Sequence, residues 1–305
     1  MRNSPKAGAK IDIFIHTDKL FKEKYTFFLF FSRNSLYLHA DLAIMTNNHM
    51  TSTPPSHHTM AHPEDKTLSI VLSTVQLNDH MRLVHLYTQS AGRVTCRVPV
   101  ASRGHRGSQL RLMMTPMTLL ETVFSGRPSA DIRSIVEAHV VQSPYSMSLA
   151  QPDKATMCLY LAELLSHTIR EEEANPRLWQ YLTGSLEILG NCQQGWENFH
   201  LVFTYGLISL LGFSIDTEAF AEGCCFDMRE GSFTRQPILH PYYLTPESSR
   251  WFCRLLDTRY GTMHQLELNR QQRAAMLDML LAFLALQIPE MGKLQSIDVL
   301  KSLFD

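Results

Sequence analysis

Six arginines, Arg82, Arg93, Arg97, Arg103, Arg106 and Arg111, fall between His80 and Leu120, and no carboxylate lies among them. A solvated face usually mixes both signs of charge; this stretch does not. Guanidinium forks match phosphate oxygens in pairs and lose their hydration cheaply. The spacing predicts a phosphate-binding surface. Arg93 and Arg97 are four apart in an alternating segment and so share a strand face, with Thr95 between them on the same side. Arg103 and Arg106 belong to a loop with Gly104 and Gly107 that can conform to a polyanion backbone. Aromatic residues are sparse here: between residues 66 and 148 there are Tyr87, Phe124 and Tyr145. Sequence-tolerant single-strand binders normally stack bases on aromatic rings. A surface without them grips the backbone and leaves base edges able to pair.

A second group, Arg250, Arg254, Arg259, Arg270 and Arg273, has Asp257 and Glu267 as the only acids between its members. Arg250 and Arg254 are one helical turn apart, beside Trp251 and Leu255. Such a basic rim beside apolar side chains suits an acidic peptide tail ending in an aromatic residue. The same arginines could instead pair with Glu171–Glu173 or other acids of the chain. Catalytic chemistry has little to work with. His200 lies in an apolar helix and reads as core, His240 precedes Pro241 in a loop, and Glu171–Glu173 read as a solvated helix end. There is no P-loop, GxSxG, HExxH or carboxylate cluster with metal spacing, so neither an enzyme nor a cofactor is expected.

The elements that would position these residues follow from charge and period. The 305 residues suit two modest domains and carry a net charge of −1, but the charge is uneven. Residues 66–152 hold 9 basic and 4 acidic side chains, and residues 153–305 hold 12 and 19. A basic module therefore precedes an acidic one. The six cysteines include no CxxC pair, which fits a reducing compartment rather than a disulfide framework. From Lys66 the pattern alternates: strands are predicted from Lys66, around Leu83–Tyr87, and over 94–100, 110–124 and 131–141. Pro116 inside the fourth run predicts an edge position or a bulge. Five strands in so short a span predict a small barrel of the OB-fold type.

From Pro152 the period becomes helical, with Cys158, Leu161, Ala162, Leu165 and Ile169 on one face. Asn175-Pro176, Thr245-Pro246 and Asn269 with Gln272 read as helix starts, and FDMREGSF as a hairpin around Glu230-Gly231. The helix predicted over 269–287 is interrupted by Asp278 and Gln287 and reads as core, too short and too polar to span a bilayer. The expected architecture is α+β and multidomain: an extension over 1–65, a five-stranded OB-fold barrel over 66–148, and an α-helical domain over 149–305 with a small irregular insert around 213–244. The extension carries the run KEKYTFFLFFSRNS, then a Ser/Thr/Pro/His-rich segment that buries too little to order itself. It does not match a secretory signal. The expectation is a native start at Met45, Met50 or Met60, the alternative a disordered tail.

In order, IVLSTVQLNDHMRLVHLYTQSAGRVTCRV, ASRGHRGSQLR, LAELL with REEE, NFHLVFTYGLISLLGF, FDMREGSF and KLQSIDVLKSLF resemble the bacterial RecO family of DNA-repair proteins, over about Lys66 to Phe304. The resemblance implies a recombination mediator of the RecF pathway, cytoplasmic and nucleoid-associated. Such a protein binds single- and double-stranded DNA, anneals complementary strands, binds the C-terminal tail of single-stranded DNA-binding protein, and helps load RecA with RecR. Many members hold zinc with four cysteines in the helical domain. Here the matching region has adjacent Cys224 and Cys225, with Cys253 and His240 as the residues left to complete a site. Adjacent thiolates do not easily reach one tetrahedral ion, so free thiols and no metal are expected. The rival readings are an RNA-binding OB module on a helical adaptor, and a scaffold whose arginines meet acidic protein.

Overall fold

The computed structural model describes residues 66–100, 113–125, 130–143 and 152–303. The expected N-terminal extension and its methionines lie outside these residues. Alternation in the basic half builds five strands, β1 (Lys66–Gln76), β2 (Met81–Thr88), β3 (Gly92–Pro99), β4 (Leu119–Ser125) and β5 (Arg133–Gln142). They close into a barrel in the order β1-β2-β3-β5-β4, the OB-fold arrangement. The β3–β5 pair is parallel, with Cys96 opposite Arg133 and Arg97 opposite Ser134; the other pairs are antiparallel. Val84 and Leu86 of β2 and Val94, Cys96 and Val98 of β3 fill the interior with Leu120 and Phe124. The β1–β2 turn is held by Asn78, whose Oδ1 accepts from the backbone N–H groups of His80 and Met81, both at 2.9 Å.

The fourth strand is shorter than its apolar run predicts. It begins at Leu119, and Pro116 sits in the preceding turn rather than at a strand edge or bulge. Proline has no N–H for a ladder. Thr115 and Thr118 close that turn through hydroxyls 2.7 Å apart, and Met117 adopts φ 62°. The irregularities of the β4–β5 ladder fall at Leu119/Leu120 and Val123/Phe124.

The helices are α1 (Pro152–Thr168), α2 (Pro176–Asn191), α3 (Phe199–Leu210), α4 (Pro246–Asp257), α5 (Arg270–Gln287) and α6 (Ile297–Ser302). Their starts are set locally. Asn175 and Thr245 accept from backbone N–H groups three residues on, and Asn269 and Gln272 form a reciprocal box at 2.9 Å each way. Between α3 and α4 lies a three-stranded sheet of β6 (Cys225–Asp227), β7 (Ser232–Thr234) and β8 (Tyr243–Leu244), in the order β7-β6-β8, turned by Gly231 at φ 64°. Phe226 at its centre packs against Phe233 and Phe252, ring centroids 5.0 and 4.8 Å away.

α1 is more buried than a single apolar face requires. Met157, Tyr160 and Leu164 are as fully enclosed as Cys158, Leu161 and Leu165. The reason is its position: helices cover one side, and the outer face of β1 covers the other. Ile70, Leu72 and Tyr87 leave the barrel interior and join the helical core, where Tyr87 stacks on Trp179 at 6.2 Å. Barrel and helices belong to one compact unit. The β2–β3 turn completes the junction. Gly92 has φ 62°, and a Cβ there would lie 2.3 Å from the carbonyl oxygen of Glu173 and 2.7 Å from that of Glu171. Only glycine permits both that dihedral and that approach.

Candidate nucleic-acid interface

Strand alternation divides the six arginines. Arg93, Thr95 and Arg97 share the outer face of β3, as their spacing predicts. Arg82 pairs with Val98 and lies on the inward row of β2, at the end of the barrel beyond Val84. Arg97 is exposed, and its Nε donates to Ser134 Oγ at 3.3 Å across the parallel pair. Arg133, on the neighbouring strand, places its guanidinium 5.8 Å from the centre of the Phe124 ring. Sequence reasoning did not single out Arg133. It follows Asp131, so its local charge is mixed; the β3–β5 pairing sets it opposite Cys96, on the inward row, and so not on the face of Arg97.

Arg93 is occupied elsewhere. Its Nη1 donates to the carbonyls of Ser166 and Ile169, both at 2.8 Å, and its backbone N–H donates to Glu171. These carbonyls close the C-terminal end of α1, where the helix leaves acceptors without intrahelical donors and concentrates negative partial charge. Burial draws the Arg93 pKa down, and Arg170 adds to this while Glu172 opposes it. Between the two outer arginines, His85 Nδ1 and Thr95 Oγ1 are 3.0 Å apart. Burial first, and Arg93 second, hold the His85 pKa below the usual imidazole value.

Arg103, Arg106 and Arg111 lie outside the described residues. β3 ends at Pro99, and the N–H of Val100 still donates to the His80 carbonyl at 2.7 Å. The chain therefore enters 101–112 from the end of the hairpin opposite Gly92 and α1. Tyr87 and Phe124 are both buried, so neither offers an open ring face; Tyr145 lies outside the described residues.

The second arginine group is not one cluster. Arg250 pairs with Glu222 rather than with Glu171–Glu173, and Arg254 lies over the Trp251 ring at 4.9 Å. Arg259 Nη1 donates to the carbonyls of Leu256 and Thr258. Arg270 and Arg273, on the first turn of α5, instead line a small cavity with His200, Ala274, Leu277, Leu300 and Lys301. Arg273 is anchored through Nε to Asn198 Oδ1 and through Nη2 to the Leu268 carbonyl, both at 3.0 Å. Burial pushes His200 down to about 3, with Arg273 adding to the effect, so this histidine stays neutral.

The cysteines do not make a zinc set. Cys224 is buried, and burial raises the thiol pKa values of Cys225 and Cys253. His240 Nε2 faces Asp227 Oδ2 at 3.2 Å, while Asp227 Oδ1 accepts from the N–H groups of Arg229 and Glu230. Among the described residues no three histidines, cysteines or acids are grouped to hold a metal. Nor, among them, is any helix long and apolar enough to cross a membrane.

Comparison with known proteins covers both halves. Residues 60–144 match the family model described as Recombination protein O N terminal, and residues 149–296 the one described as Recombination protein O C terminal. Relatives named DNA repair protein RecO include that of Bacteroides fragilis, 35% identical over 241 residues, which cover 79% of this chain and 99% of the relative. The relative from Phocaeicola vulgatus is 34% identical over 239 residues, with 78% and 98% covered. That from Porphyromonas gingivalis is 29% identical over 241 residues, again with 78% and 98% covered.

Proposed function

The chain belongs to the RecO family of DNA repair and recombination proteins, and on that footing we propose that it is a mediator that binds single- and double-stranded DNA and anneals complementary strands. In the same reading it works with RecR to load RecA onto DNA coated by single-stranded DNA-binding protein, in the nucleoid-associated cytoplasm. The observation that carries the proposal is the exposed Arg97 on the outer face of β3, two residues before that strand ends and the sequence runs on to Arg103, Arg106 and Arg111, combined with the burial of Tyr87 and Phe124. Such a surface holds phosphates and leaves bases unstacked. The proposed DNA contacts are Arg82, Arg97, Arg103, Arg106 and Arg111.

Arg93 is left out of that set because its guanidinium closes the end of α1. Arg93→Met is therefore expected to lower unfolding stability by about 1–3 kcal/mol, the range for losing charged hydrogen bonds, with little change in DNA affinity. Denaturant melts and a DNA titration of the same preparation check this. A large loss of affinity without loss of stability would return Arg93 to the DNA surface.

The cavity bordered by Arg270, Arg273 and Lys301, with Ala274, Leu277 and Leu300 as its apolar part, is proposed to receive the acidic tail of single-stranded DNA-binding protein. Arg250 and Arg254 are not part of that lining.

The deciding experiment is annealing of two complementary oligonucleotides, each coated with single-stranded DNA-binding protein, without ATP. Acceleration by the chain is the expected result. No acceleration by folded protein would favour the adaptor reading, and competition between DNA and RNA would then show whether the barrel prefers RNA.

A further inference from the structure

The cavity under Arg270 and Arg273 is small. Its volume is about 10 Å³, room for roughly a single water and far too little for a side chain. The wall that closes it comes from α6, through Leu300 and Lys301. This wall is short, and it packs on the core through Leu300 with Ile297 and Leu303 partly buried beside it. α6 has six residues, and Leu300 is its one buried residue. Its N-terminal end is fixed to α1, where the Glu163 carboxylate accepts from the N–H groups of Gln295 and Ser296 at 2.9 and 2.7 Å. Its other end is tied to α5 by Lys301, whose Nζ donates to Asp278 Oδ1 at 2.6 Å and Oδ2 at 2.8 Å. The Lys301 side chain is 28% exposed and that of Asp278 is 51% exposed. The tie is thus an open, solvent-screened ion pair of the kind that contributes little to folding.

We infer that the Lys301–Asp278 pair is a latch: Asp278 occupies Lys301 as an internal stand-in for an acidic ligand, and a peptide carboxylate opens the cavity by taking Lys301 from it. The inference rests on the proposal that this cavity receives an acidic tail. One carboxylate replaces another on the same ammonium, so the exchange is nearly balanced electrostatically. Releasing Lys301 frees α6 to shift about the end held by Glu163, widening the space lined by Ala274, Leu277 and Leu300. Occupancy then requires both an acidic group to release the wall and an apolar group to fill the space behind it.

The test is a double-mutant cycle on the full chain, read as fluorescence anisotropy of a labelled acidic peptide with a C-terminal phenylalanine and a free carboxylate. Asp278→Asn is expected to tighten binding roughly two- to fivefold, the equivalent of an exposed ion pair. Lys301→Gln is expected to weaken it. The decisive term is the coupling: Asp278→Asn should have no effect in the Lys301→Gln background. Equal tightening in both backgrounds would mean that Asp278 merely repels the peptide, and the latch would be overturned. So would unchanged affinity of Asp278→Asn when Arg270→Glu abolishes binding, an outcome that leaves the cavity as the peptide site. Absence of binding to both the natural chain and Asp278→Asn would overturn the site and the latch together. Thermal melts of each variant confirm that the fold is intact.

Discussion

Affinity for single-stranded DNA is expected to fall by about a hundredfold when monovalent salt rises from about 50 to about 200 mM. The magnitude follows from the proposed contacts. Five arginines, Arg82, Arg97, Arg103, Arg106 and Arg111, each neutralising one phosphate, release counterions so that log affinity falls against log salt with a slope of about −3.5. With both barrel rings of the described residues buried, stacking adds no salt-independent affinity to mask this slope. Replacing Arg97, Arg103 and Arg106 by alanine should remove three contacts and bring the slope to about −1.4. Equilibrium titrations at four or five salt concentrations measure it. A slope near zero for the natural chain would refute backbone recognition and move the arginine surface to the protein-docking reading.

Gly92→Ala is expected to destabilise the chain by about 2–4 kcal/mol, since a left-handed dihedral costs an L-residue roughly 1–2 kcal/mol and forced displacement of packed groups adds a similar amount. The second contribution is specific to this junction. The new methyl carbon would lie 2.3 Å from the Glu173 carbonyl oxygen, and backbone cannot swing aside as a side chain can. The β2–β3 turn must lift, which breaks the bond from the Arg93 N–H to Glu171 and pulls the guanidinium from the end of α1. Denaturant unfolding followed by tryptophan fluorescence is a direct monitor, because Trp179 stacks on Tyr87 across the same junction. A midpoint equal to that of the natural chain would show that the turn does not depend on this close approach.

What could be read beforehand was what short-range physics decides. Asn175-Pro176, the Asn269–Gln272 box and the Gly231 turn are each specified within four residues, and each stands where its residues predict. The barrel strands follow from alternation in the same way. The exceptions involve distant partners. Pro116 interrupts an apolar run whose first part proves to be a turn. Arg93 looks like its neighbour Arg97 in sequence, but the carbonyls that occupy it lie 73 and 76 residues away. Arg133 is inconspicuous until the parallel β3–β5 pair sets it opposite Cys96, with its guanidinium over the Phe124 ring. The arginines of the α4–α5 region are close in sequence, yet Arg250 and Arg254 turn to Glu222 and Trp251 while Arg270 and Arg273 border a cavity.

The shared core between barrel and helices makes the molecule a rigid bracket rather than two beads on a string. Ile70, Leu72 and Tyr87 of the barrel are packed into the same interior as α1 and α2. A nucleic-acid strand gripped along β3 and a peptide seated beside α5 would then keep a constant separation and angle. For a partner that carries both, the advantage of the second contact is set by whether its own tether spans that gap. A tether of the right reach gains the full benefit of holding two points at once, and one that is too short gains nothing, however well each point binds alone.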